Sequence, residues 1–127
     1  MSDSKKQHGA FSWNELMTID VSAAKIFYGS LFHWTLEDMQ TCDVGYTMAK
    51  AGDTEVAGIM ATPPEVGEMP PMWGSYVTVD DVDASAKLVE SLGGNIVLAP
   101  RDIPGVGRFC VIADPQGAVL SIITYFD

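Results

Sequence analysis

Two histidines, two cysteines and seventeen acidic side chains are the groups through which this 127-residue chain could hold a metal, form a covalent intermediate or move a proton. Their spacing argues against most of that chemistry. Cys42 and Cys110 make neither a CxxC pair nor a disulfide framework. Cys110 sits in the apolar run Phe109-Cys110-Val111-Ile112 and reads as a small buried hydrophobe, while Cys42 lies in a polar loop. His8 belongs to a polar, loose N-terminal stretch. His33 falls where a helical pattern stops, a favourable place for an imidazole against the helix dipole. No GxSxG elbow and no phosphate-cradling glycine loop is present, and Gly105-Val106-Gly107 is more simply a hairpin turn. Asp80, Asp81 and Asp83 have the spacing of turn and cap residues. Trp13, Trp34 and Trp73 admit two roles, as core or as stacking surfaces for a ligand.

The bulk properties narrow the partners. Seven basic residues against seventeen acidic ones give a formal charge of −10. Phosphate contacts need basic groups, so nucleic acid and anionic membrane surfaces are poor partners. The charge keeps the chain soluble and favours a basic ligand over an acidic one. The hydrophobic share of 47% with 19% charged residues is that of a folded domain. A chain this long buries roughly two-thirds of its unfolded surface, so it needs no disulfide or metal staple. The N-terminus lacks an apolar signal region and no stretch is long enough to span a membrane, so a cytoplasmic protein is expected.

Residues 11–19 alternate apolar and polar, as a strand does. Asp20 or Ser22 then caps a helix whose stripe is Ala24, Phe27, Tyr28 and Leu31 and which ends near His33. Gly29 inside it permits close packing. Strands follow at about 35–39, 46–51 and 55–61. Residues 62–72 hold four of the seven prolines and read as an extended linker. Beyond it come a strand at 73–79, a cap at Asp81 or Asp83, a helix with stripe Ser85, Leu88, Val89 and Leu92, and a stop at Gly93-Gly94. Strands at 95–99, 107–113 and 118–125 complete the chain, with Asp114-Pro115-Gln116-Gly117 as a turn.

The order strand, helix, three strands thus occurs twice. Sixty positions apart, Trp13 meets Trp73, Leu16 meets Tyr76, Thr18 meets Thr78 and Asp20 meets Asp80; a one-residue slip at Asp81 then aligns Ala23 with Ala84 and Phe27 with Leu88. Such self-similarity marks one supersecondary unit used twice. The expected class is α+β: one domain over 8–127, with module one about 8–61, linker 62–72 and module two about 73–127.

The stretches FYGSLFHW (27–34), DDVDASAKLVESLGG (80–94) and PRDIPGVGRFCVIADPQGAVLSI (100–122), with the paired Trp strands, resemble the vicinal oxygen chelate superfamily. Glyoxalase I, extradiol dioxygenases, fosfomycin-resistance enzymes and bleomycin-binding proteins belong to it. The resemblance implies two βαβββ modules forming a cupped, mostly antiparallel half-barrel with the helices outside, and a homodimer. Its metalloenzymes place ligands early in the first strand and late in the last strand of each module. Those positions fall here on Asn14, Gly74, Ser121 and either Ala57 or Gly58, none of them a His, Glu, Asp or Cys. Glu15 is adjacent, but alternation from Asn14 turns it toward the helix layer. No metal, no cofactor and no catalytic residue is therefore expected. The expected function is metal-free binding of a small organic ligand, a cationic one by charge, for sequestration or sensing. The expected contacts are Asn14, Leu16, Thr18, Met48, Gly74, Tyr76, Phe109 and Ser121. The alternative is an enzyme of glyoxalase or dioxygenase type with a non-standard or partner-completed site.

Overall fold

The computed structural model describes residues 6–39, 45–64, 69–103 and 105–126; Cys42 lies outside them. It divides into two compact units, Trp13–Trp73 and Met1–Ser12 with Gly74–Asp127. In the first, β1 (Phe11–Thr18, its first two residues belonging to the other unit) is followed by α1 (Val21–Phe32), β2 (Thr35–Met39), β3 (Tyr46–Ala51) and β4 (Thr54–Ala61). The second holds β5 (Met72–Thr78, its first two residues belonging to the first unit), α2 (Val82–Ser91), β6 (Asn95–Ile103), β7 (Gly107–Ala113) and β8 (Val119–Tyr125). The strand orders are β2-β3-β4-β1 and β5-β8-β7-β6. Each first strand pairs in parallel with the last strand of its module, and the other pairs are antiparallel. Both modules are therefore βαβββ units of an α+β protein. No described helix is long and apolar enough to cross a membrane.

Asp20 caps α1, accepting a hydrogen bond from the Ala23 amide at 3.0 Å, and Asp81 caps α2 through the Ala84 amide at 3.2 Å. Each satisfies an amide that the first helical turn leaves open. The caps are sixty-one positions apart, and this offset governs the helices too. In α2 the inward side chains are Val82, Ser85, Ala86 and Val89, with Val82 and Ala86 buried. In α1 the least exposed are Val21, Ala24, Lys25 and Tyr28, the same positions sixty-one residues earlier. The stripes expected from sequence were thus rotated. Phe27 and Leu31 are 58% and 55% exposed, and Leu88 and Leu92 point outward as well. Among the inward side chains Ala24 in α1 and Ser85 and Ala86 in α2 are small, which lets a short helix come close to its sheet. Gly29 shows the closeness directly, since a Cβ there would stand 3.2 Å from Leu36 Cδ1. Helix α1 ends with His33 in the left-handed region at φ 59°, its amide bonded to the Gly29 carbonyl. After α2 the left-handed residue is Gly93.

The second unit has a continuous core of Val79, Val82, Ala86, Cys110 and Ile122, against which Ile96 and Ile112 pack. Strand β6 runs through Pro100 to Ile103, farther than expected, because it is an edge strand with two register shifts, where a missing amide is tolerated. Residues 6–10 are less loose than their composition implied. The Gly9 amide bonds to the Thr78 carbonyl at 2.7 Å, and His8 Nδ1 accepts the Asp80 amide at 2.9 Å. Cys110 is wholly buried, its thiol bonded to the Leu98 carbonyl, and burial followed by the charge of Asp83 pushes its pKa up to about 11.

Arg108 grips Asp83 with two hydrogen bonds of 2.9 and 3.1 Å and Asp102 with one of 3.0 Å, tying α2 to the β6–β7 hairpin. The hydrogen bond from Arg108 holds the Asp83 carboxyl below its ordinary 3.8, with desolvation opposing. A carboxyl lowered in the folded state adds stability above its unfolded value and loses it as pH falls through the folded one. Acid titration followed by circular dichroism should therefore show a loss of stability beginning near pH 4. Asp83→Asn should be less stable at pH 7 and lose less on acidification. Equal acid sensitivity in the two proteins would contradict the role given to this pair.

Candidate ligand-binding site

In the first unit, two hydrogen bonds identify the sheet face that meets α1. Lys25 on the helix donates to Asp38 Oδ1 at 2.8 Å, and Thr47 Oγ1 donates to the same oxygen at 2.9 Å. Pairing carries that face across the sheet. Asp38 lies opposite Thr47, Thr47 opposite Ile59, and Ile59 opposite Leu16. Leu16, Thr47, Ala49, Ala57 and Ile59 are all buried there. By alternation Asn14 and Thr18 share this helix side with Leu16.

The opposite, helix-free face carries Trp13, Glu15 and Met17 from β1, Tyr46 and Met48 from β3, and Gly58 and Met60 from β4. Glu15 pairs with Gly58, Gly58 with Met48, and Met17 with Met60. The indole Nε1–H of Trp13 donates to the Tyr46 hydroxyl at 2.8 Å. A Cβ on Gly58 would run into that same phenol, so the tyrosine ring lies across β4 where the glycine leaves room. Glu15 is only 3% exposed on this face and is not unpartnered; a carboxylate so placed would be costly alone. Its position reverses the expectation that it faces the helix. Of the four module-one contacts expected from sequence, only Met48 lies on the helix-free face. Trp13, Glu15 and Tyr46, which share that face, were not among the expected contacts, although Trp13 was weighed as a stacking surface.

In the second unit the core pair Cys110 and Ile122 marks the helix side. Tyr76 pairs with Ser121, Ser121 with Val111, and Phe109 with Ile123, all on the other face. Gly74 joins them by alternation. The Tyr76 and Phe109 rings stand 6.1 Å apart with planes tilted by 48°. Tyr76, Phe109 and Ser121 are buried. All four module-two residues expected at a ligand site thus share one helix-free face.

The two modules differ because the strands, like the helices, align at sixty-one. Trp13 corresponds to Gly74, Glu15 to Tyr76 and Met17 to Thr78. Aligning the strands at sixty exchanged the faces of β1. The distance from each first strand to its cap aspartate, Asp20 or Asp81, held the signal that corrects this. Trp34 and Trp73 lie elsewhere in the first unit, clustered around Tyr28 at ring distances of 6.0 and 5.4 Å, with Trp73 Nε1 donating to the Tyr28 hydroxyl at 3.1 Å.

A divalent metal does not fit these faces. Along the first and last strands they present Trp13, Glu15, Gly58 and Met60 in one unit and Gly74, Tyr76, Ser121 and Ile123 in the other. One carboxylate, an alcohol and a phenol do not make the set of imidazole and carboxylate donors that such ions require. Among the described residues no three His, Cys, Asp or Glu side chains converge as a ligand set.

Residues 10–122 match the model of the glyoxalase/bleomycin resistance protein/dioxygenase superfamily. The chain belongs to that superfamily. Among its curated relatives is a putative glyoxylase, CFP32, of Mycobacterium bovis, 42% identical over 116 residues that cover 91% of this chain and 44% of the relative. Another is the anthracycline biosynthesis protein DnrV of Streptomyces peucetius, 35% identical over 90% of this chain and 46% of the relative. The chain thus spans less than half the length of these superfamily members. Methylmalonyl-CoA epimerase from Mycobacterium tuberculosis superposes with a TM-score of 0.61 over 97% of this chain and 91% of that one; at 15% identity this shows the shared fold.

The face assignment has a direct consequence. Leu16→Ala should cost about 2–5 kcal/mol in chemical denaturation, as loss of a core leucine does. A cost below ~1 kcal/mol would place Leu16 outside the core.

Proposed function

We infer that this protein binds a small organic molecule, aromatic and of basic character, without a metal ion. The carrying observation is the helix-free face of the first unit. There the Trp13–Tyr46 hydrogen bond and Gly58 set an aromatic, hydrogen-bonding surface among Met17, Met48 and Met60. A mostly apolar wall with a few placed polar groups is the usual make-up of a small-molecule site, and thioethers adapt to flat ligands. The similarity to a protein named for anthracycline biosynthesis supports an aromatic ligand. The net charge of −10 supports a basic one. A thermal-shift screen divided by ligand charge and aromaticity tests this. An aromatic amine at a hundred times its Kd should add about 2.7 kcal/mol of stability. A response confined to acidic, non-aromatic compounds would contradict the proposal.

A second reading, an enzyme of glyoxalase or dioxygenase type, is favoured by the relative named glyoxylase and by the buried carboxylate of Glu15. Hemithioacetal isomerisation and catechol cleavage, assayed with and without added metal, decide between them. Turnover abolished by Glu15→Gln would establish the enzyme.

The same proposal includes a homodimer through α1. No residue of this helix is buried, and Ile26, Phe27, Leu31 and Phe32 are all more than half exposed. Helices in water depend on burying an apolar face. The helix has one charged residue, Lys25, already engaged by Asp38. A second copy is the occupant we assign, because the curated relatives have room in one chain for another domain of this size. Sedimentation should give a dimer that tightens with salt as repulsion between the acidic copies is screened, and Phe27→Asp should give a monomer. A monomer at all salt concentrations would refute it.

A further inference from the structure

We propose that the methionines on the helix-free face of the first unit are a modification site: peroxide oxidises their thioethers to sulfoxides, and this lowers the affinity for the ligand. The proposal rests on the ligand-binding function inferred above and adds its regulation.

Each strand of the first unit's sheet contributes one methionine: Met17 from β1, Met39 from β2, Met48 from β3 and Met60 from β4. All four share the helix-free face. Met17 lies opposite Met60, Met48 opposite Gly58, and Met39 opposite Tyr46. On the helix side the same strands pair Leu16 with Ile59, Ala49 with Leu36 and Ala57, and Thr47 with Asp38, with no sulfur among them. Branched and small side chains thus fill the core beneath α1, and the thioethers are kept for the other face. The belt crosses four strands, a width of roughly 14 Å, too wide to close on a single ion.

Exposure grades the four sulfurs. Met39 is 36% exposed, Met17 and Met48 are half-buried, and Met60 is buried. Peroxide reaches the first three from the side on which the ligand would lie. The sulfur attacks one peroxide oxygen, the O–O bond breaks and an S–O bond forms. The other oxygen leaves as water with both hydrogens. Sulfur gives up two electrons and the peroxide takes them. The product is a polar side chain in place of a flexible apolar one. A flat ring laid over it buries the sulfoxide oxygen without a hydrogen-bond donor, which is costly.

The modification is directed at binding and spares the fold. The core of the second unit has one sulfur, in Cys110. That thiol is wholly buried and bonded to the Leu98 carbonyl, and its raised pKa withholds the thiolate that peroxide attacks.

The test treats the folded protein with hydrogen peroxide and locates added oxygen by peptide mass spectrometry. Met39, Met17 and Met48 should each gain one oxygen, Met60 more slowly, and Cys110 none. Bound aminomethylanthracene should slow the reaction at Met17 and Met48 but not at Met69, which lies outside the sheet. Affinity for this amine, read by its fluorescence anisotropy, should fall about tenfold on oxidation, the effect of one buried uncompensated polar group. Circular dichroism should not change. Methionine sulfoxide reductase with a thiol reductant should restore binding, and the thiol alone should not. Replacing Met17, Met39 and Met48 with Leu should abolish the response to peroxide, whatever affinity that variant starts from. If the oxidised protein binds the amine as before, unfolds, or recovers with the thiol alone, the proposal is overturned while the binding function stands. If the untreated protein does not bind the amine, both are overturned.

Discussion

The alternation of side chains along β1 is the constraint on which the rest of this structure depends. Successive residues of a strand point to opposite faces, so a shift of one residue exchanges every side chain between core and surface. The parallel pairing of Leu16 with Ile59 puts Leu16 in the core beneath α1 and turns Trp13, Glu15 and Met17 to the helix-free face. The Asp20 cap fixes the same phase from the other end, because it decides where the strand must stop and the helix begin. With the opposite phase, Glu15 would lie under the helix, and Trp13 could not reach Tyr46.

The chemistry of the first unit follows from that phase. Glycine at position 58 leaves room for a ring from the neighbouring strand, and tyrosine at 46 supplies it. Tryptophan at 13 then locks the ring by a hydrogen bond. In the second unit the equivalent of Trp13 is Gly74, and the helix-free face is built on Tyr76, Phe109 and Ser121 instead. The duplicated fold therefore carries two different surfaces. Among the described residues, neither presents the full donor set of a divalent metal centre along its first and last strands: the first carries there a single carboxylate, Glu15, beside the Tyr46 hydroxyl, and the second the hydroxyls of Tyr76 and Ser121.

Much of this was legible in the sequence. Element order, the location of each helix start to within two candidate caps, the Asp114 turn and the superfamily all followed from local signals: alternation, cap chemistry, and Gly and Pro placement. Phase at single-residue precision was harder to read. The Trp-to-Trp and Thr-to-Thr matches at sixty positions were attractive, and they hid the sixty-one-residue spacing that the caps obey. That one residue determined the side assigned to Asn14, Leu16, Thr18 and Glu15. In module two, where the first-strand position was taken at Gly74 and the last-strand position was counted from the Asp114–Gly117 turn, the residues named from sequence fall on one face, with Tyr76 opposite Ser121. Tyr46 escaped notice because its partner Gly58 lies on another strand, and a glycine that makes space leaves no mark in a periodicity. The outward turn of Phe27 and Leu31 was equally hidden. An apolar stripe shows that a helix face is to be covered, not which neighbour covers it.

The central claim is that the helix-free face around Trp13 is the functional surface. Three tryptophans give three indole N–H resonances, and only Trp13 lies on that face. Trp34 and Trp73 cluster with Tyr28 instead. In a nuclear magnetic resonance titration with an aromatic amine that stabilises the protein, we expect the Trp13 indole signal, assigned by its loss in Trp13→Phe, to shift in a saturable way while the other two hold still. A saturable shift of the Trp34 and Trp73 signals with Trp13 unmoved would contradict the claim.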